Sequence, residues 1–149
     1  MASNVLDTAK YILEQAGSMS PMKLQKLCYY AQAWSLVWDD SPLFVEDFQA
    51  WETGPVCPEL FYKTQGKCSV SASDEIGGVG DLSDNQKDTI DKVLEYYGGY
   101  DSQWLSQLTI MEGSWIKTRE DVPSGNVIAK ERMKIYYKNL ILPEKQKNN

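Results

Sequence analysis

The sequence predicts a mainly α fold: a single compact helical domain of about five to seven helices, with a small β element near residues 45–56 and room for a second brief strand at 68–70. Three observations lead there. Apolar residues recur at helical spacing in several separate stretches, helix-start signals precede most of those stretches, and the pattern shifts toward period 2 only over residues 43–51. A chain of 149 residues fits one domain. At that size roughly 68–70% of the unfolded surface is buried, so neither metal nor disulfide is needed to hold the fold.

Val5, Ala9, Ile12 and Ala16, with Leu6 and Leu13 beside them, give the first helix, which Gly17 stops. Ser20-Pro21 reads as N-cap and first helical residue of the second. Leu24, Leu27, Cys28, Ala31 and Trp34 form one stripe, while Tyr30, Ala33 and Val37 form another. A helix apolar on nearly every side is a buried central element. Residues 43–51 then alternate as a short strand, and Gly54-Pro55 reads as a turn orienting Trp51. Pro58 opens a short helix containing Leu60 and Phe61 and closing near Gly66.

Residues 66–81 are small, polar and glycine-rich, as in an exposed loop; their GGVG lacks the spacing and following Lys-Ser/Thr of a phosphate loop. Ser83 with Gln86 forms a capping box for a helix buried through Ile90, Val93, Leu94 and Tyr97 and ended by Gly98-Gly99. Asp101 or Ser102 caps the next helix, with Trp104, Leu105 and Leu108 as its expected buried side. Glu112-Gly113-Ser114 separates it from Trp115–Arg119, and Pro123, Ser124 and Gly125 form a loop. A last helix over roughly 129–141 buries Met133, Tyr136, Tyr137 and Leu140. The domain is expected over 1–142, with 143–149 as a frayed tail. Tyrosine pairs at 29–30, 96–97 and 136–137 are expected at boundaries between core and solvent.

Net charge is −6, distributed as −5 over residues 1–60, −4 over 61–120 and +3 over 121–149. An acidic chain neutralises phosphates poorly, which disfavours autonomous nucleic-acid binding; an acidic face instead suits a basic partner. There is no histidine, and Cys28, Cys57 and Cys68 stand outside any CxxC or Cys/His spacing. The usual zinc site, the Ser-His-Asp triad and the Cys-His dyad are thereby excluded, and no cofactor or metal is expected. MASNVLDTAK lacks the pattern of a secretion signal, and no run approaches the ~18 apolar residues of a membrane span. The expected location is the cytoplasm.

MKLQKLCYYAQAWSLVW (22–38) followed by PLFVEDFQAWETGPVCPEL (42–60) resembles the Panacea antitoxin domain, also known as a phage-associated protein. Lys23 to Leu27, Tyr29 to Gln32, Pro42 to Phe44, Asp47-Phe48, Ala50-Trp51, Gly54 to Val56 and Glu59-Leu60 carry the likeness. It continues more weakly through Leu105 to Thr109, Trp115 and Arg119, and from Asn126 to Tyr137. Ile110, Ser114 and Thr118 depart from the family's histidine, proline and alanine. The resemblance implies a protein-binding module that neutralises a toxin encoded by an adjacent gene. Its alternative is a prophage-encoded adaptor or modulator that binds a host protein or delivers a target to a ClpXP-type protease.

Glu52, Glu59, Asp101 and Glu112 are read as caps and solvated faces rather than an acid–base pair, so the chain is expected not to be an enzyme. The expected partner-binding residues are Trp38, Phe48, Trp51, Glu52, Gly54, Pro55 and Glu59, around the least regular segment; tryptophan dominates binding hot spots. Leu24, Leu27, Tyr30, Trp34, Trp104, Trp115 and Arg119 are expected to be structural, Arg119 either pairing with Glu112 or facing the partner. The oligomeric state stays open, with a homodimer compatible.

Overall fold

Helix α2 (Pro21–Trp38) organises the chain. Ser20 caps it by accepting the Lys23 N–H, and Pro21 fills the first turn. Every residue from Leu24 to Leu36 is buried. Such a helix has no wet face, and α1 (Val5–Ala16), α3 (Pro58–Thr64), α4 (Asp84–Tyr97), α5 (Ser102–Ile110) and α7 (Lys130–Lys138) all pack on it. The computed structural model describes residues 4–76, 81–121 and 126–140. Predicted features at 77–80, 123–125 and 143–149 lie outside them. The fold is mainly α, as the periodicity predicts, and among the described residues no helix is long and apolar enough to cross a membrane.

The three-stranded sheet has the order β2-β1-β3, with β1 (Phe48–Trp51) antiparallel to both β2 (Gly54–Val56) and β3 (Val127–Ile128). Trp51 pairs with Gly54 and Ala50 with Pro55, so Glu52 and Thr53 make the turn. The expected turn at Gly54-Pro55 is therefore the start of a strand. Pro55 is tolerated because β2 is an edge strand, where a missing N–H breaks no ladder. Gly54 has φ +110°. A Cβ there would lie 2.6 Å from Thr109 Oγ1 and 3.0 Å from Lys26 Cε, so helices α2 and α5 approach this backbone too closely for a side chain. The brief strand expected at 68–70 reduces to one bridge, Val70 with Met19.

Polar side chains on α2 tie the sheet segment down. Gln25 donates to the Cys57 carbonyl at 3.0 Å and accepts the Cys57 N–H at 2.8 Å. Gln32, two turns later on the same face, donates to the Phe44 carbonyl at 2.8 Å and accepts the Leu43 N–H at 2.7 Å. Each primary amide replaces a missing strand partner, one before β1 and one after β2. From the other side α6 (Gly113–Asp121) grips β1: Trp115 Nε1 donates to the Trp51 carbonyl at 2.9 Å and Arg119 to the Ala50 carbonyl at 2.9 Å.

Three sequence expectations are corrected. Trp104 is 45% exposed, since the nine-residue α5 turns only Leu105 and Thr109 fully inward. Phe48, expected at a partner surface, is 1% exposed against Tyr29 and Phe44. Tyr29 and Tyr30 are buried mid-helix rather than at a boundary.

Replacing Gln32 by Leu strands the Leu43 N–H and the Phe44 carbonyl, whereas replacing Gln25 by Leu strands the Cys57 N–H alone, since the Cys57 carbonyl keeps the Phe61 N–H; each stranded group costs roughly 1–3 kcal/mol. Urea unfolding should show a loss of about 2–6 kcal/mol for Gln32→Leu and about 1–3 kcal/mol for Gln25→Leu. Gly54→Ala should lose on the order of 1–3 kcal/mol from the positive φ alone, read as a lowered thermal midpoint.

Candidate functional site

Four tyrosines on three helices turn their hydroxyls toward one carboxylate region. Tyr30 from α2 and Tyr137 from α7 each donate to Glu112 Oε1 at 2.7 Å. Tyr29 shares a hydrogen bond with Ser114 Oγ at 2.7 Å and accepts from Tyr137 at 3.4 Å. Tyr97 from α4 stacks on Tyr30 with centroids 3.9 Å apart and accepts from Trp34 Nε1 at 3.1 Å. Burial and the facing carboxylate hold the Tyr30 and Tyr137 hydroxyls protonated, well above their ordinary pKa.

Glu112 is 5% exposed, contrary to its reading as a solvated residue. Desolvation raises its pKa from 4.5 to about 7, against the two tyrosine hydrogen bonds that favour the charged form. Arg119, a predicted partner for Glu112, instead holds the Ala50 carbonyl and lies over the Trp115 ring at 5.3 Å. Tyr30 and Tyr137 take its place because Glu112 sits in the loop between α5 and α6, facing α2 and α7.

Glu112 contributes to a cleft of about 500 Å³ lined by Tyr96, Tyr97, Tyr100, Trp104, Leu108, Met111, Tyr136 and Leu140. Tyr100 and Trp104 stack at 3.8 Å, and Met111 is 71% exposed. A second, mainly apolar groove of about 670 Å³ is lined from α6 and α7; it shares Tyr136 and Leu140 with the first and adds Ile135. Together these faces concentrate exposed apolar side chains, as interaction surfaces do.

The predicted contact residues differ in exposure. Trp38 is half-buried and stacks on Trp34 at 5.1 Å. Trp51 is half-buried against Phe61, while Gly54 and Pro55 are buried. Glu52 and Glu59 are exposed; Glu59 borders a smaller cleft with Asp47, Gln49 and Tyr62. Leu24, Leu27, Tyr30 and Trp34 lie in the core. The aromatic cleft was missed because it joins α4, α5 and α7, and helical spacing within one segment does not report which helices meet. The signal available was Tyr96, Tyr97, Tyr100 and Trp104 crowded into nine residues.

Lys26 is fully buried, with Nζ 3.0 Å from the Pro55 carbonyl and 3.0 Å from Met22 Sδ. Desolvation lowers its pKa from 10.5 to about 7. Burial likewise pushes the Cys28 and Cys57 thiols up, which leaves them unreactive. Among the described residues, no group of three or more His, Cys, Asp or Glu side chains is arranged to hold a metal. Three of the cations on α7 form ion pairs: Lys130 with Asp47 at 2.7 Å, Arg132 with Asp121 at 2.8 Å, and Lys134 with Asp40.

The family profile described as "Antitoxin SocA-like, Panacea domain" matches residues 24–116, well over half of the chain. The protein belongs to the Panacea domain family. No curated protein and no solved structure matches it. The matched span runs from the buried part of α2 into α6, so it contains the glutamine clamps, Lys26 and Glu112. Helix α7, which supplies Tyr136 and Tyr137 to the Panacea domain's tyrosine cluster, lies beyond it.

Lys26 and Glu112 set opposite pH limbs. Between pH 4.5 and about 7 the folded chain keeps a proton on Glu112 that the unfolded chain has lost, so this contribution to stability is complete below 4.5 and fades as pH rises. Between about 7 and 10.5 the unfolded chain keeps a proton on Lys26 that the folded chain has lost, so stability rises with pH. Glu112→Gln should therefore gain stability over wild type as pH rises from 4.5 to 7, by roughly 3 kcal/mol at most. Lys26→Met should gain over wild type as pH falls from 10.5 to 7. Denaturant midpoints measured across pH 4–11 check both slopes.

Proposed function

We propose that this Panacea-domain protein is a non-enzymatic, cytoplasmic antitoxin that neutralises a partner toxin, encoded by an adjacent gene, by direct binding. The observation that carries the reading is the family itself, matched over 24–116. The acidic chain, at −6, suits a basic partner and speeds its encounter. The contact is assigned to the aromatic cleft rather than to the β hairpin. Tyr100, Trp104 and Met111 are exposed there beside Tyr96 and Tyr136, whereas Phe48, Gly54 and Pro55 are buried and available only if the domain opens. Steric occlusion of the toxin's active site or substrate path is the mechanism.

Co-expression with the toxic product of the adjacent gene tests this. Growth should be restored and the two proteins should co-purify. Trp104→Asp with Met111→Asp should abolish both, while leaving the thermal midpoint within about 0.5 kcal/mol equivalent, as for exposed substitutions. Persistent growth arrest together with no complex on pull-down would discard the neutraliser reading.

A further inference from the structure

The floor of the aromatic cleft is chemically unlike its walls. Both tyrosine hydroxyls that reach Glu112 donate to the same oxygen, Oε1. No hydrogen bond or ion pair from the described residues reaches Oε2. Thr8 Oγ1 stands alone among the described residues as a fully enclosed side-chain oxygen or nitrogen without a partner. Oε2, which also lacks one, is therefore not sealed, and Glu112 is among the residues that line the cleft. Lys23 spends its ammonium on the Gly98 carbonyl at 2.7 Å and is not part of the lining. A carboxylate 5% exposed thus meets an aromatic cleft with half of its acceptor capacity unused.

We propose that this cleft is a socket for an arginine side chain of the partner protein, with the guanidinium paired to Glu112 Oε2 and flanked by the rings of Tyr96, Tyr100, Trp104 and Tyr136. The chemistry selects a cation on two independent grounds. An ion pair compensates a buried carboxylate that has no paired cation among the described residues, and aromatic faces attract cations through the ring quadrupole. It selects arginine over lysine because a planar guanidinium stacks on aromatic rings and is more weakly hydrated, so entering a cleft of tyrosines and a tryptophan costs it less. The stacked Tyr100 and Trp104 are exposed at the mouth, where an incoming side chain meets them first. Five groups that titrate face Glu112 (Tyr29, Tyr30, Tyr97, Tyr136 and Tyr137), and all are held protonated by burial, so each remains neutral through the physiological range. The negative charge at the floor is then Glu112's own, and a bound guanidinium stabilises its ionised form.

This assignment rests on the antitoxin reading for the identity of the partner, yet it can be tested without one. The probe is Nα-acetyl-arginine amide, titrated into the full-length wild-type chain and followed through the indole N–H resonance of Trp104. The neutral isostere Nα-acetyl-citrulline amide and Nα-acetyl-lysine amide serve as comparisons. Saturable shifts are expected with the arginine compound. Citrulline should bind about 10- to 100-fold more weakly, the ratio set by one charge-assisted hydrogen bond. Glu112→Gln keeps an acceptor for both tyrosines and should lower arginine binding by a similar factor with the fold intact. Trp104→Ala, followed through the indole N–H of Trp115, should weaken arginine and lysine compounds together. Equal binding of arginine and citrulline compounds, or unchanged binding to Glu112→Gln, would overturn the socket; equal binding of the lysine compound would overturn the choice of arginine. A toxin complex that forms undiminished with Glu112→Gln would also remove the socket and leave the antitoxin reading standing. An arginine-selective socket in a chain that rescues no toxin would do the reverse.

Discussion

The hydrogen bonds that buried α2 makes through Gln25 and Gln32 are the constraint on which the rest of the structure depends. A fully buried helix must satisfy every polar group it carries inside the protein, because water cannot reach them. Here the two amides do so by pairing with the backbone on either side of the β hairpin, and Lys26 adds a bond to the Pro55 carbonyl. The hairpin is too short to stand alone; two short strands in water are marginal at best. Its position is inherited from α2, and α6 closes on it from outside through Trp115 and Arg119. The Lys-Leu-Gln-Lys-Leu and Tyr-Tyr-Ala-Gln strings are thus a tethering device for the sheet as much as a core-forming stripe.

The same logic applied to Tyr30 gives the opposite result. Its hydroxyl is satisfied by a carboxylate, which must itself be desolvated, so the solution for one buried group creates a cost at another. Two tyrosine donors on a single oxygen of Glu112 offset part of that cost and leave the second oxygen without a donor among the described residues, on a residue that lines the aromatic cleft. Core packing and candidate contact surface therefore meet at one residue. The rings that enclose the carboxylate from inside, Tyr30 and Tyr137, are continuous with those that line the cleft, Tyr97 and Tyr136.

Local signals in the chain were strong where the physics is local. The caps at Ser20, Ser83 and Asp101 each accept a hydrogen bond at the predicted helix start, since a cap involves residues only three apart. Proline at the first turns of α2 and α3 is equally legible. Errors fall where one segment's role depends on another. Trp104 has helical spacing with the core residues of α5, but one turn of a short helix cannot show where the packing face ends. Phe48 sits in a weakly alternating strand, and which face of that strand points inward is decided by α2. Glu112 looks like any loop carboxylate until α2 and α7 bring two hydroxyls to it from 82 and 25 residues away.

By itself, then, the sequence determined the helix starts and stops, the central burial of α2 and membership of the Panacea family, because periodicity, capping and motif order are properties of contiguous residues. Only the tertiary structure decided that Gln25 and Gln32 are clamps and that Glu112 is buried among tyrosines. It also showed that Tyr100 and Trp104 are exposed beside the half-buried Tyr96 and Tyr136, in a cleft lined from α4, α5 and α7. A side chain's burial and its hydrogen-bond partner are set by distant segments arriving at the same place, and no spacing within one segment encodes that arrival.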